Sequence, residues 1–299
     1  MQLFPHRHHA RSRMKKTLVV FWCMAALGVT PVGATELKGE TAAAFDRYIR
    51  ATEARMDDDV TEDEFLVVDR LPESRRQEAY AQLQDGQVYI EELHTREDHH
   101  SIHVPGGLIH HWAGVIFIPR ATLSQTIAVL QDYNHHQMIY QPDVRQSKLI
   151  EENGNGFKIY LQFFSKSVVT VVLNVDFDVS DTPFGSTRYQ IVSRSTRIAE
   201  VANFGKPDEH ELPVGNNHGY MWSLYTYWRL EEKDGGVYLQ NESVALSRAV
   251  PFMLAWLVNP LVKNIPRNVI TNLLANTRKA VLSPGSRSDK PNAIVTQRR

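Results

Sequence analysis

The residues best suited to recognition or chemistry crowd one stretch, "GYMWSLYTYWRLEEKDGG", Gly219 to Gly236. There Tyr220, Trp222, Tyr225, Tyr227 and Trp228 fall within nine positions. Side chains alternate along an extended chain. As a strand, this segment shows Tyr220, Trp222, Leu224, Thr226, Trp228 and Leu230 on one face, and Met221, Ser223, Tyr225, Tyr227 and Arg229 on the other. With aromatic residues on both faces, at most one is simply wet. The better-covered face is either ordinary core or the wall of a hydrophobic site. Tyr225 and Tyr227, rings with a polar handle, are the stronger wall candidates. Two charges also stand among apolar neighbours. Arg197 shares a face with Tyr189 and Ile191, and Glu242 with Tyr238, Val244 and Leu246. A charge in such company needs a partner. The expectation is an internal Arg197–Glu242 pair or an Arg197 contact with a ligand headgroup, against the plainer reading that both reach solvent at a sheet edge.

The familiar catalytic signatures do not occur. There is no G-x-S-x-G nucleophile elbow and no phosphate loop, and Gly154-Asn155-Gly156 lacks the continuation of a dinucleotide fingerprint. His210-Glu211 opens like a zinc-protease motif, but Val214 stands where the second histidine belongs. His99, His100, His103, His110, His111, His135 and His136 would have to converge in threes or fours to hold zinc. Adjacent His110 and His111 face opposite ways on a strand. No catalytic residue, metal ligand or cofactor is assigned.

The first 34 residues read as a targeting segment. Arg7, Arg11, Arg13, Lys15 and Lys16 precede an apolar run from Leu18 to Val29, and Val32-Gly33-Ala34 supplies small residues for cleavage. The apolar run falls short of the ~20 residues that span a bilayer. The expectation is a cleaved signal and a periplasmic or secreted protein. The single cysteine, Cys23, lies inside this segment, so the mature chain carries no thiol or disulfide. Without those five basic residues, and with no acids among the first 34, the formal charge falls from −1 to −6. That balance speaks against a nucleic-acid partner. Of all 299 residues, 42% are hydrophobic and 22% charged, values of a globular chain rather than a disordered one.

Residues 36–56 show helical spacing, and the acidic run from Asp57 to Glu64 reads as a solvated linker. Pro72 to Leu83 gives a second helix, with Pro72 in its first turn. From Gln87 the pattern turns to strands, at 87–94, 107–118, 144–152, 156–164, 168–179, 187–201, 219–232 and 237–248. Asn153-Gly154-Asn155 and Asp234-Gly235-Gly236 supply hairpin turns. Thr122 to Gln125 forms a capping box for a helix reaching Tyr133. The apolar run Phe252 to Leu282 is helical, with Pro260 and Pro266 expected to kink or break it and leave 266–282 regular. Residues 284–299 form a polar tail, expected to be disordered. The division is thus 1–34 signal, 35–86 helical extension, 87–283 main domain and 284–299 tail.

Six or seven strands at ~4.8 Å each make a face about 30 Å wide, whereas one helix covers only ~10–12 Å. A twisted sheet of that width must curl around the helix, and any shortfall in side-chain volume between them becomes a pocket. The segment "HHWAGVIFIPRATLSQTIAVLQDYNHHQMIYQPDVRQSKLI", followed by "YTYWRLEEKDGGVYLQNESVALSR" and an apolar helix, resembles the START-like (SRPBCC, helix-grip) superfamily over about 102–282. The two prolines depart from the uninterrupted helix of that pattern. The resemblance implies an α+β helix-grip fold, a curved antiparallel sheet wrapped around a long C-terminal helix, preceded here by a helical extension. It further implies binding of a lipid, sterol, isoprenoid or polyketide, with a minority of relatives being cyclases or hydrolases. The expected function is carriage of a hydrophobic small molecule, lipid foremost, with transient membrane contact and no nucleic acid. The alternative is a cyclase or aromatase acting in the same cavity. Candidate ligand-binding residues are Trp112, Tyr160, Tyr189, Arg197, Tyr225, Tyr227, Tyr238 and Glu242. The loop from Asn203 to His218, long for a strand connection, is a lid or a plain excursion.

Overall fold

Eight strands pair in antiparallel fashion into one open sheet in the order β1-β2-β8-β7-β6-β5-β4-β3. They are β1 (Tyr89–Glu92), β2 (Gly107–Pro119), β3 (Val144–Asn153), β4 (Gly156–Lys166), β5 (Thr170–Phe184), β6 (Arg188–Ala202), β7 (Ser223–Lys233) and β8 (Gly236–Arg248). A computed structural model describes residues 35–61, 64–166, 170–249 and 252–283, without the side chains of 252–266. The targeting segment, the C-terminal tail and the first two residues of the strand expected at 168–179 lie outside the described residues. Among the described residues no helix is long and apolar enough to cross a membrane.

Local chemistry explains the turns. Asp234 (φ 54°) and Gly235 (φ 74°) both sit in the left-handed region and join β7 to β8 in the tight hairpin that such residues favour. Between β2 and β3 run α3 (Leu123–Leu130) and α4 (His136–Ile139). The capping box forms as its residues require: Gln125 N donates to Thr122 Oγ1 and Thr122 N to Gln125 Oε1, both at 3.2 Å. The sheet ends in α5 (Phe252–Leu282), which is helical straight through Pro260 and Pro266. The expected break is absent because each proline deletes one donor from the hydrogen-bond ladder while the turns on either side persist.

The sheet is covered on both faces. α5, α3 and α4 lie over the concave face, where alternate residues such as Ile191, Trp228, Leu230, Leu239, Ile270 and Leu274 form the main core. Gly114 lets α5 press against this face: a Cβ there would stand 2.7 Å from Ile270, 2.7 Å from Ile90 and 2.8 Å from Leu274. Two helices cover the convex face, α1 (Gly39–Thr61) and α2 (Glu73–Gln84), joined through a short 3-10 turn at Val67–Arg70. Phe45, Tyr48, Ile49 and Met56 recur at helical spacing and pack on Tyr227, Val244 and Leu246. Phe65 to Val68, Ala79 and Leu83 pack on Ala113, Val115, Phe117 and Tyr238. The acidic run expected as a linker instead extends α1 by a turn, through Asp57, Asp58 and Asp59. Asp59 is buried because Arg55, one turn back, donates to it at 3.1 Å.

Candidate functional site

Between the concave face and its helices lies a cavity of about 640 Å³. The register builds its wall in transverse rows. Val179, Ser193, Thr226, Ser243 and Trp112 stand side by side across β5, β6, β7, β8 and β2. The adjoining row toward the mouth runs Phe177, Ser195, Leu224, Ala245 and His110. α5 contributes Val269, Ile270, Leu273 and Asn276, and the α3–α4 region Leu130, Tyr133, His136 and Tyr140. Exposed Tyr220 and Val269 mark where the cavity meets the surface. The hollow shows in β8 itself. Glu242, Val244 and Leu246, on the convex side, are wholly buried, while Ser243, Ala245 and Ser247, facing the cavity, stay partly accessible.

Its polar groups are few. His110 Nε2 pairs with Ser247 Oγ at 2.9 Å, and burial pulls the imidazole pKa below its usual value, favouring the neutral ring. His136 is lowered to about 4 by burial, and its Nε2 donates to the Leu130 carbonyl at 3.0 Å. Tyr140 OH meets Thr277 Oγ1 at 3.1 Å. Asp143, on the lining, has a carboxyl pKa raised by burial. On the same face of β5, burial raises Asp181 to about 6, although Gln131 and Tyr189 both donate to its Oδ2. Tyr133 OH and Asp181 Oδ1 are buried without a partner among the described residues. Among the described residues, no group of three or more His, Cys, Asp or Glu is placed to hold a metal ion.

Of the residues singled out from sequence, Trp112 lines the cavity. Tyr189 is on the concave side but its ring packs into the core and its hydroxyl bonds Asp181 at 3.2 Å. The others lie on the convex side, because the register turns their strand positions away from α5. Tyr225 meets Phe45 of α1 edge-on, with ring centroids 5.7 Å apart. Tyr227 is 1% exposed and donates to Glu53 at 3.0 Å. Tyr238 lies tilted against Phe117 and meets Tyr80 edge-on, with ring centroids 4.6 and 5.1 Å away, and burial raises its hydroxyl to about 12. Tyr160 donates to Asn174 on the wet part of that face at 2.9 Å. Arg197 and Glu242 do not pair, since β7 separates their strands. Arg197, beyond a bulge in β6, reaches Glu211 and Asp176 near solvent. The Asn203–His218 loop folds back through His210 and Glu211 onto β6, and its last residue, His218, joins the cavity rim.

Glu242 belongs to a buried network that fastens α1 to the sheet. His111 Nε2 stands 2.7 Å from Glu242 Oε1, and Tyr48 OH 2.9 Å from His111 Nδ1. The carboxylate needs a donor, so His111 carries its proton on Nε2 and accepts from Tyr48, which accepts in turn from Thr95 N at 2.9 Å. Arg55 also donates to Glu242. Burial works to raise the Glu242 pKa, but the His111 hydrogen bond and the charges of Arg55 and Arg229 together outweigh it and hold the value near about 2. Arg229, 1% exposed, donates to the carbonyls of Phe65 at 2.9 Å and Met56 at 2.7 Å. His110 and His111 thus face opposite layers, as their adjacency on a strand dictates.

Sequence reasoning missed most of the lining, including the small residues Ser193, Thr226, Asn241, Ser243, Ala245 and Ser247. Their signal is the run of small side chains at alternate positions of β8, on the face opposite Glu242.

No protein-family model and no curated protein matches the sequence. Solved structures do resemble it. A STAR-related lipid transfer protein fragment from Xanthomonas axonopodis is 18% identical, with a TM-score of 0.40 over 59% of this chain and 96% of that one. The Zhui aromatase/cyclase of a Streptomyces species is 13% identical, with a TM-score of 0.41 over 58% and 94%. A START superfamily protein from Mycobacterium smegmatis is 11% identical, with a TM-score of 0.36 over 58% and 96%. An open antiparallel sheet curled around a C-terminal helix, with two short helices between its second and third strands, gives this chain a helix-grip fold.

Proposed function

We propose that the protein binds a hydrophobic small molecule of the lipid class in the cavity under α5 and carries it, unmodified, through an aqueous compartment. The observation behind this reading is the hollow itself. About 640 Å³ lined mainly by apolar side chains lies within the ~300–1,000 Å³ typical of small-molecule sites. Burying apolar ligand surface at ~25 cal/mol per Å² supplies the drive. The neutral state favoured for His110 and His136 suits an uncharged guest. Export, with transient contact at a donor or acceptor membrane, belongs to the same proposal and rests on the pattern of the first 34 residues.

Organic extraction of the purified protein followed by mass spectrometry tests the reading. An unmodified co-purifying lipid at near one per chain is the expected result. An empty extract, together with no uptake of any apolar dye, would overturn it. A second reading, a cyclase-type enzyme in the same cavity, draws on Asp143, a lining carboxyl whose pKa burial raises, as an acid–base group. Turnover of an offered polyketide chain would favour that reading over carriage.

A further inference from the structure

The cavity wall is interrupted by one polar belt. Ser193, Thr226 and Ser243 stand in one row across β6, β7 and β8, on strands ~4.8 Å apart, with Thr226 between the two serines. Asn241 is the next cavity-facing residue along β8 from Ser243. It is 0% exposed, its Oδ1 accepts from Ser243 Oγ at 2.7 Å, and its Nδ2 has no partner among the described residues. Ser193 and Thr226 make no side-chain hydrogen bond to a described residue. The rows on either side are mainly apolar, with Leu224, Ala245 and Phe177 toward the mouth and Ile191 and Trp228 inward.

A buried amide donor left unmatched is costly, by the desolvation of its N–H. A fold that only needed to fill space here would place an apolar residue. We propose that this belt is a recognition site for an uncharged acceptor oxygen, a ketone, ester or hydroxyl set within an otherwise apolar ligand. Asn241 Nδ2 donates to that oxygen, and the hydroxyl of Thr226, on the adjacent strand, is the second group that faces it. Among the described residues the charged members of the lining are Asp143 and Arg248, neither in the belt nor in the rows beside it. The one ionisable carboxyl in the row inward of it, Asp181, is acidic and supplies no positive charge. A carboxylate or phosphate would therefore sit there without a counter-charge. This inference rests on the cavity being a ligand site and adds to it the chemistry of the ligand.

The positional isomers of dodecanone separate the two claims, because they share composition and apolar area and differ only in where the oxygen falls. Each isomer, and dodecanoate, is titrated against the full-length protein loaded with Nile red. The expected result is that one interior ketone displaces the dye at about tenfold lower concentration than the terminal ones, and below dodecanoate. Thr226→Val, nearly isosteric, and Asn241→Leu should level the series, while Arg197→Leu, outside the cavity, should leave it intact. A flat series, or dodecanoate displacing best, would overturn the belt and leave the cavity as a ligand site. If neither dye nor any ketone binds the wild type, the carrier reading falls with it.

Discussion

The two faces of the sheet share the same strands and have opposite interiors. The convex face meets α1 and α2 with its largest side chains, Arg229, Tyr227 and Tyr238, and holds most of their polar atoms in hydrogen bonds and ion pairs. The concave face meets α5 with serine, threonine and alanine at the centre of the wall, and there it stays hollow. Alternate positions of β7 and β8 therefore do contrary jobs. A face that is aromatic and charged is solid, while a face that is small and plain holds the space. Volume, rather than chemical reactivity, marks the ligand side.

Breaking the solid face should have the largest effect. Glu242→Gln leaves Arg229 and Arg55 beside a neutral group, and loss of one partner from a buried charge network costs about 3–5 kcal/mol, readable as a lowered midpoint in urea. The pH signature follows from the same group. Its folded pKa near about 2 lies below the reference 4.5, so its stabilisation is full above 4.5 and is lost as pH falls toward 2. The variant should lack that acid limb.

Crowding the hollow face at its tightest point comes next. Gly114→Val places carbon against Ile90, Ile270 and Leu274, and such overpacking costs about 1–3 kcal/mol. Lifting α5 should also weaken uptake of apolar dye, whereas Glu242→Gln, where it still folds, should not. Asp181→Asn acts in the opposite sense. The folded pKa of about 6 exceeds the reference 3.8, so the protonated carboxyl stabilises at low pH and that contribution is lost as pH rises through 6. At 1.36 kcal/mol per pKa unit, the rise from 3.8 to about 6 corresponds to about 3 kcal/mol, so the asparagine variant should gain up to that amount near neutrality and little at pH 4, as thermal melts at the two pH values would show. The smallest effect is expected from Arg197→Leu. Its ion pairs are near solvent, worth about 1 kcal/mol or less, and both dye uptake and melting temperature should stay close to wild type.

Much of the sheet was legible because its signals are local. Alternation located the long strands, Asp234-Gly235 the hairpin, and Thr122 with Gln125 the start of α3. The acidic end of α1 was misread as linker because its stabilising partners are Arg55, one turn back, and Arg229 and Arg70 from elsewhere in the fold. The site was less legible than the sheet. Alternation sorts residues into two faces without saying which helix covers which, and that depends on contacts such as Arg55 to Glu242, far apart in sequence. Tyr225 and Tyr227 were sorted onto one face together, and that face proved to be the one α1 fills. Searching for large polar side chains led away from the centre of the cavity wall, where β8 offers only serine and alanine at alternate positions.

The fastening of α1 bears on how far the chain can be trimmed. A version starting at residue 87 would keep every strand and the gripping helix, yet would strip the cover from Tyr227, Tyr238, Arg229 and Glu242 at once. Such a fragment should aggregate or melt rather than stand as a minimal lipid cup. In this molecule the back of the vessel is part of what holds it open.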